Sequence, residues 1–414
     1  MINTAPAVVI RAELNGLGVV RSLVRAAVPT IVLDTTRWLP AMWSRSCRTH
    51  VVDRLHGQSF VDQLLELQKK LNGQPVLIAT DEMAADTVSE HRDQLLKAYR
   101  FHLPPRHMVR TLRNRARFFE LAEGHGLPVP RTMILRPDMP LEALARLSFP
   151  VIVKPADRQA VVPAGTEVLY PIVTLKGAQP LCRRLMDSAG ELIVQEWIDG
   201  PDSNICFALF HCGREPDSFK LFTGRKLASR PPRIGHTALC LAAPEVMNDL
   251  EPLVRKYLEV TEFEGLGSLT FKWDLRLRRY VIVGRAVGRT DRHEEIAALC
   301  GVNLPLAAYR HELGLQPILQ KEIDRTAAWR ESALLGNGLP ALSPSMRIYD
   351  GYWRSNDPMP GIFFYARTAL EWVNRKIVKP IIRRLKRSQM HAAVERAYRY
   401  LLKPILEKGK PSAP

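Results

Sequence analysis

The first hundred residues alternate short apolar runs with amphipathic stretches. AVVI (7–10) is followed by NGLGVVRSLVRAAV, a glycine turn opening an amphipathic helix. TIVLD (30–34) is the next apolar run, and FVDQLLELQKKLNG leads as a helix into PVLIAT (75–80). Strand–helix alternation of this kind predicts a parallel sheet covered by helices. HLPPRH (102–107) breaks the pattern, because proline removes backbone donors and excludes helix before it. Beyond it the periodicity changes. LRNRARFFELAEGHG (112–126) reads as a helix with Gly126 placed to end it. After it come the extended runs FPVIVKP, LIVQEW, ICFALFHC and FKLFTGRKL, and the pair SLTFKWD and RRYVIVGRAV. This second region predicts a strand-rich α+β unit. From Pro317 to Gly361 the chain is rich in Pro, Gly and Ser and reads as irregular. The tail reads as helix, with breaks near Pro380 and Pro404.

Composition adds little to this picture, and charge adds more. With 414 residues, 46% apolar and 24% charged, the chain has room for two or three domains with a sizeable core. Six scattered cysteines without a CxxC or Cys/His cluster argue against a disulfide scaffold or a structural zinc site. The N-terminus has no basic segment followed by a long apolar one, and no stretch approaches 18 uninterrupted apolar residues. A cytoplasmic protein is the expectation. The net charge is +17, and residues 361–414 hold 13 Lys/Arg against 3 Glu. An excess confined to the tail points to a local partner surface. Trp372, Val373, Ile377, Val378, Ile381, Ile382 and Leu385 are interleaved with basic residues, a pattern that lies on anionic membrane. The alternatives are a protein partner, or a helical hairpin packed on the chain's own body. No nucleic-acid recognition motif is present.

Four short motifs bear on chemistry. Gly16-x-Gly18 could cradle an anion at a helix start, but Arg21 stands where the dinucleotide fingerprint has its third glycine. A tight strand-to-helix turn is the plainer reading, and a dinucleotide-dependent oxidoreductase rests on this turn alone. FPVIVKP delivers Lys154 at the end of an apolar strand, where an ammonium can meet phosphate oxygens. Some forty residues on, LIVQEWIDGPDS offers strand-edge backbone groups to a flat base and Ile198 to its ring face. Asp81 and Glu82 follow a strand, where open sheets bind ligands; a helix N-cap explains them equally well.

With RFFELAEGHGLPVPRT, FPVIVKPAD, IVQEWIDGPDS, FTGRKL, GLGSLTFKWD and AVGRTDRHEEIAALCGVNLPLAAYRHELG in this order, the chain resembles the ATP-grasp superfamily of ATP-dependent carboxylate–amine or thiol ligases over roughly residues 5–315. The resemblance implies an N-terminal parallel α/β domain (1–108) and an ATP-grasp domain (109–315) of two α+β subdomains clasping ATP. An irregular linker (316–360) and a basic amphipathic helical tail (361–414) would follow. It implies phosphate contacts from Lys154 and Arg115, an adenine hinge at Gln195, Glu196, Trp197 and Ile198, and ribose contacts near Asp202. Arg225, Lys226 and Arg289 are implied as catalytic cations that steady charge on an acyl-phosphate. Small-molecule carboxylate and amine substrates are implied with them.

The resemblance fails at the metal. Relatives carry carboxylates for Mg2+ where this chain has Thr270 and Gly284, with Arg285 beside the second. Asp274, Asp291, Glu294 and Glu295 are the substitute candidates. The alternative is a catalytically degenerate homologue acting as a binding or regulatory module, at the cytoplasmic membrane face if the tail attaches there.

Overall fold

The computed structural model describes residues 5–157, 160, 162, 170–318, 322–334 and 340–380. Three sheets are present among them. The first is parallel, with strands β1 (Ala7–Ile10), β2 (Thr30–Asp34), β3 (Arg48–Val51) and β4 (Val76–Ala79) in the order β3-β2-β1-β4. Every residue of β1, β2 and β4 is buried, as unbroken apolar runs covered on both faces must be. Only β3 is largely exposed, which is why its sequence RTHV gives no apolar signal.

Helix Leu14–Val24 starts before its glycines, and both lie inside it. A Cβ on Gly16 would meet the Arg11 carbonyl oxygen at 2.0 Å. Glycine there allows a close backbone approach, in agreement with the plainer reading of the motif. Asp81 caps helix Glu82–Glu90, its carboxylate accepting from Ala84 N at 2.7 Å.

The second sheet is small and antiparallel: β5 (Thr132–Leu135), β6 (Val151–Pro155) and β7 (Leu192–Glu196), with β7 in the centre. Helix Leu175–Ala189 covers it through Ala178, Cys182 and Leu185. The helix expected over 112–126 is two, Arg106–Arg113 and Arg115–Gly124. Asn114 divides them: it leaves helical geometry and its side chain caps Arg117 N at 3.0 Å.

The third sheet is the centre of the molecule. Its strands are β8 (Ile205–Cys212), β9 (Lys220–Arg230), β10 (His236–Ala242), β11 (Gly265–Asp274), β12 (Arg279–Val287), β13 (Ala327–Arg330) and β14 (Arg347–Asp350), in the order β12-β11-β8-β9-β10-β13-β14. Leu269 and Phe271 of β11 enter one core with Phe210, Leu250 and Val254. Phe207, Leu209 and Phe222 enter the other with Leu17, Val20 and Ile296. The phenylalanines are fully buried, each contributing about 1.5–3 kcal/mol.

The segment 316–360, expected as an irregular linker, is corrected here. Its strands β13 and β14 extend the central sheet past β10. Trp329 of β13 is 1% exposed and belongs to the core shared with the N-terminal helix. Strands of four residues between Pro, Gly and Ser leave too short an apolar run to read. Helix Met359–Val373 follows, stacking Phe363 on Trp43 at 4.3 Å, and a five-residue π turn runs from Asn374 to Val378. The basic residues from 381 onward, on which much of the tail expectation rests, lie outside the described residues.

Candidate functional site

The β5-β7-β6 sheet faces one end of the central sheet across a cavity of about 220 Å³. Its upper wall comes from Ile152, Lys154 and the segment Gln195–Ile198, and its floor from Lys226, Thr270 and Lys272. Strand alternation explains the floor: residues 268, 270 and 272 share one face of β11, while 269 and 271 fill the core behind it. A bulge between Thr270 and Phe271 aims Val283 and Gly284 of β12 at the same space.

Four cations line this cavity: Lys154, Lys226, Arg233 and Lys272. Lys272 is 4% exposed, and its ammonium sits 4.3 Å from the centre of the Trp197 ring. Burial pushes it down to about 8, against the pull of Asp199 and Asp202. Burial also lowers Lys226, which Asp291 and Asp202 partly offset. Cations held in a site that disfavours their charge gain most from a polyanion. At the other end Ile198 is buried beside the point where the chain leaves the β7 ladder, and Trp197 N donates to Pro150 O. An apolar slot running into four cations suits a flat ring carrying phosphates.

A larger cavity, about 550 Å³, lies against Phe119, Glu196 and Asp274. It shares only Pro130, Glu196 and Ile198 with the first. Its three arginines, Arg131, Arg276 and Arg279, are outnumbered by Glu120, Glu123, Glu196 and Asp274, whereas the smaller cavity sets four cations against Glu196 alone and is the better polyphosphate site.

Lys154, Gln195, Glu196, Trp197, Ile198 and Lys226 therefore come together. Within this set the Glu196 carboxylate accepts from Ser148 N at 2.7 Å, and Gln195 donates to the Thr132 hydroxyl at 3.0 Å; both brace the hinge. Arg115 lies beside the end of the lysine strand, donating to the Pro155 carbonyl at 2.8 Å, and is not in the cavity wall. Asp202 serves the loop, accepting from Ser229 N and Arg233 N at 2.8 Å each. Arg225 neighbours Lys226 on a strand and so faces the other way, pairing with Glu245 at 2.9 Å. Arg289 pairs with Glu82 at 3.1 Å and reaches Asp291 at 3.6 Å.

Thr270 and Gly284 are cross-strand partners at the cavity floor. A Cβ on Gly284 would lie 3.3 Å from Thr270 Cβ, so the two positions are adjacent. Between them they offer one hydroxyl, and two lysines converge on the same space. Mg2+ requires hard oxygen ligands, normally one or two carboxylates. The donor set at these two positions does not fit a protein-held Mg2+. Arg285, expected beside them, is turned away: it donates to the carbonyls of Leu112 and Asn114 and stacks on Phe118 at 3.8 Å. Asp274 caps the hairpin turn through Arg276 N at 2.8 Å. Glu294 and Glu295 are buried toward helix Leu14–Val24, with Ser22, Arg21 and Arg354. Only Asp291 of the four candidates stays near the floor, bonded by the Ser268 hydroxyl at 3.0 Å. Burial raises its carboxyl, but His293, Arg289, Lys226 and Ser268 outweigh this and leave it below its ordinary value.

This architecture has known counterparts. An N5-carboxyaminoimidazole synthetase from Staphylococcus aureus complexed with ADP superposes with a TM-score of 0.60 at 13% identity, over 78% of this chain and 80% of that one. A carboxyaminoimidazole ribonucleotide synthase from Aspergillus clavatus complexed with ATP gives 0.59 at 17%, over 78% and 81%. The chain has the ATP-grasp fold. The biotin carboxylase domain of a 2-oxoglutarate carboxylase from Hydrogenobacter thermophilus shares this ATP-grasp architecture, with a TM-score of 0.58 at 13% identity over 78% and 73%. By sequence the chain is 22% identical over 311 residues to a D-aspartate ligase of Enterococcus faecium, covering 72% of each. No family model matches the chain.

The cavity lies between the two sheets. Sequence reasoning missed Lys272 and Arg233 there. Lys272 had a readable signal, standing two residues from Thr270 and thus on the same strand face. Arg233 lies in the basic loop RPPRIGH and is brought in by the Asp202 bonds, which no local pattern reveals. Next to Asp291 in sequence, Arg292 lines a further cavity of about 320 Å³ with Glu13, Trp38, Phe363, Arg367 and Glu371.

Proposed function

We propose that this chain is an ATP-dependent ligase that activates a carboxylate as an acyl-phosphate and joins it to an amine. The observation that carries the reading is the convergence of Lys154, Lys226, Arg233 and Lys272 beside the Ile198 slot. Adenine occupies the slot, and the cations neutralise the phosphates without carboxylate-held metal at residues 270 and 284. The carboxylate attacks the γ-phosphate, ADP leaves, and the amine then displaces phosphate. The similarity to D-aspartate ligase supports an amino acid as one substrate. The cavity beside Arg292 is lined by Arg292 and Arg367 together with Glu13 and Glu371, a mixed charge that suits a group carrying both carboxylate and ammonium.

The test is ADP release by the full chain across a panel of amino acids and carboxylates. ADP formation that needs both partners and falls at least a hundredfold in Lys154→Ala supports the ligase. Nucleotide binding with no turnover on any pair would favour the binding-module alternative. The C-terminal segment is read as a peripheral contact with an anionic membrane surface. Support comes from Trp372 at 52% exposure and from exposed Ile377 beside Arg375 and Lys376. No helix among the described residues is long and apolar enough to cross a membrane. Sedimentation with anionic liposomes, with and without residues after Leu370, tests this contact; equal partitioning removes it.

A further inference from the structure

Three histidines meet at a junction that the nucleotide cleft does not use. His102 lies in the connector after the parallel sheet, His211 in β8, and His311 with Glu312 at the end of helix Leu304–Glu312. His211 stands six residues along β8 from Ile205 of the cleft, about 20 Å at roughly 3.3 Å per residue. His102 and His311 have ring centres 4.7 Å apart, and His211 and His311 5.2 Å apart. Ligand atoms of His102, His311 and Glu312 all lie within 4.8 Å of one another. A cavity of about 30 Å³, lined by His102, His211 and Glu312, adjoins them.

The outer hydrogen bonds set which ring nitrogen faces inward. His211 Nδ1 lies 3.1 Å from the Ser218 carbonyl, which can only accept, so Nδ1 carries the proton and Nε2 a lone pair. His211 is 1% exposed, and its Nε2 has no partner. His311 repeats the pattern: Nε2 meets the Glu215 carboxylate at 2.8 Å, while buried Nδ1 has no partner. An imidazole whose outer N–H is tied to a carboxylate or carbonyl, with its inner nitrogen bare, is the arrangement of a metal-ligating histidine. His102 completes the group, its Nδ1 2.7 Å from the Glu312 carboxylate.

We propose that His102, His311 and Glu312 bind one divalent transition-metal ion of the zinc class beside His211, and that the ion ties the connector after the N-terminal sheet to helix Leu304–Glu312. Two imidazoles and one carboxylate leave the fourth tetrahedral position to water, and this donor set selects zinc, cobalt or nickel over magnesium and calcium. Metal–nitrogen distances of about 2.0–2.1 Å place ligand atoms roughly 3.3 Å apart, so the group contracts by up to about 1.5 Å on binding. Binding releases the proton shared between His102 and Glu312.

The experiment uses the full chain, free of any histidine tag and stripped with chelator, with CoCl2 and ZnSO4 as probes. One equivalent of Co2+ is expected to give the visible absorption of a four-coordinate ion, and Zn2+ to raise the melting temperature where Mg2+ does not. His311→Ala is expected to abolish the absorption. Glu215→Gln changes only an exposed carboxylate, so folding survives, and it is expected to weaken Zn2+ binding about tenfold or more. No stoichiometric Co2+ or Zn2+ uptake by the wild type overturns the proposal. Unchanged affinity in both variants overturns it equally. ATP binding in His311→Ala is expected to stay at the wild-type level, which separates this test from that of the nucleotide cleft.

Discussion

Lys272 offers a quantitative prediction, because its charge is poised near neutral pH. Burial holds it at about 8, where an ordinary lysine sits at 10.5. A bound polyphosphate favours the ammonium, so nucleotide binding pulls the value back toward 10.5. The free protein loses this charge above pH 8, while the complex retains it. If the full shift is restored, ATP affinity falls about 70-fold between pH 7 and pH 10, equivalent to ~2.5 kcal/mol. Calorimetry at several pH values measures the slope directly, and proton uptake on binding near pH 9 is its second signature. Lys272→Met is expected to flatten the curve, binding about fourfold more weakly than wild type at pH 10 and about 290-fold more weakly at pH 7. The same linkage fixes the sign for stability. Between pH 8 and 10.5 the unfolded chain binds more protons at this residue than the folded one, so its contribution to stability rises with pH there. A wild-type affinity flat from pH 7 to 10, or the same slope in Lys272→Met, would refute the reasoning.

Neighbouring residues on β9 should behave in opposite ways. Lys226→Ala is expected to weaken ATP binding by about 1.5–3 kcal/mol, the worth of a hydrogen bond to a charged group, measured by calorimetry. Arg225→Ala should leave ATP affinity unchanged and cost about 1 kcal/mol of denaturant stability, since it loses a partly exposed pair with Glu245. Glu294 is raised to about 8, by burial first and then by Glu295. The folded chain therefore holds an extra proton between about pH 4.5 and 8, and stability falls as pH rises through that window. Glu294→Gln should remove the loss, so thermal melts should find the variant gaining more over wild type at pH 8 than at pH 5.

Much of the fold was legible because long or repeated patterns carry it. The runs around residues 7–10, 30–34 and 76–79 are buried on both faces, and such strands leave unbroken apolar stretches. The RTHV and RIYD strands are largely exposed, and AAWR has two small residues before its tryptophan, so none of the three leaves an unbroken β-branched run to read. Within the site, the strand ends carrying Lys154 and the hinge could be read, since they follow apolar runs directly. Arg225 could not be told from Lys226 without the strand's facing, which only packing decides. Arg285 looked like a replacement for metal charge, yet its partners are 171 and 173 residues away in the chain. Asp202 looked like a ribose contact, but its bonds go to a loop about thirty residues on. Long-range contacts of this kind leave no local periodicity to find.

The central claim is that the cleft binds ATP through its own cations, with no carboxylate-held metal at Thr270 and Gly284. Its most direct test is calorimetric titration of the full chain with ATP in EDTA, beside the Lys154→Ala/Lys226→Ala double variant. The account predicts one-to-one binding by the wild type in EDTA and at least a hundredfold weaker binding in the double variant. No binding by the wild type in EDTA, or equal binding by the two proteins, would contradict it.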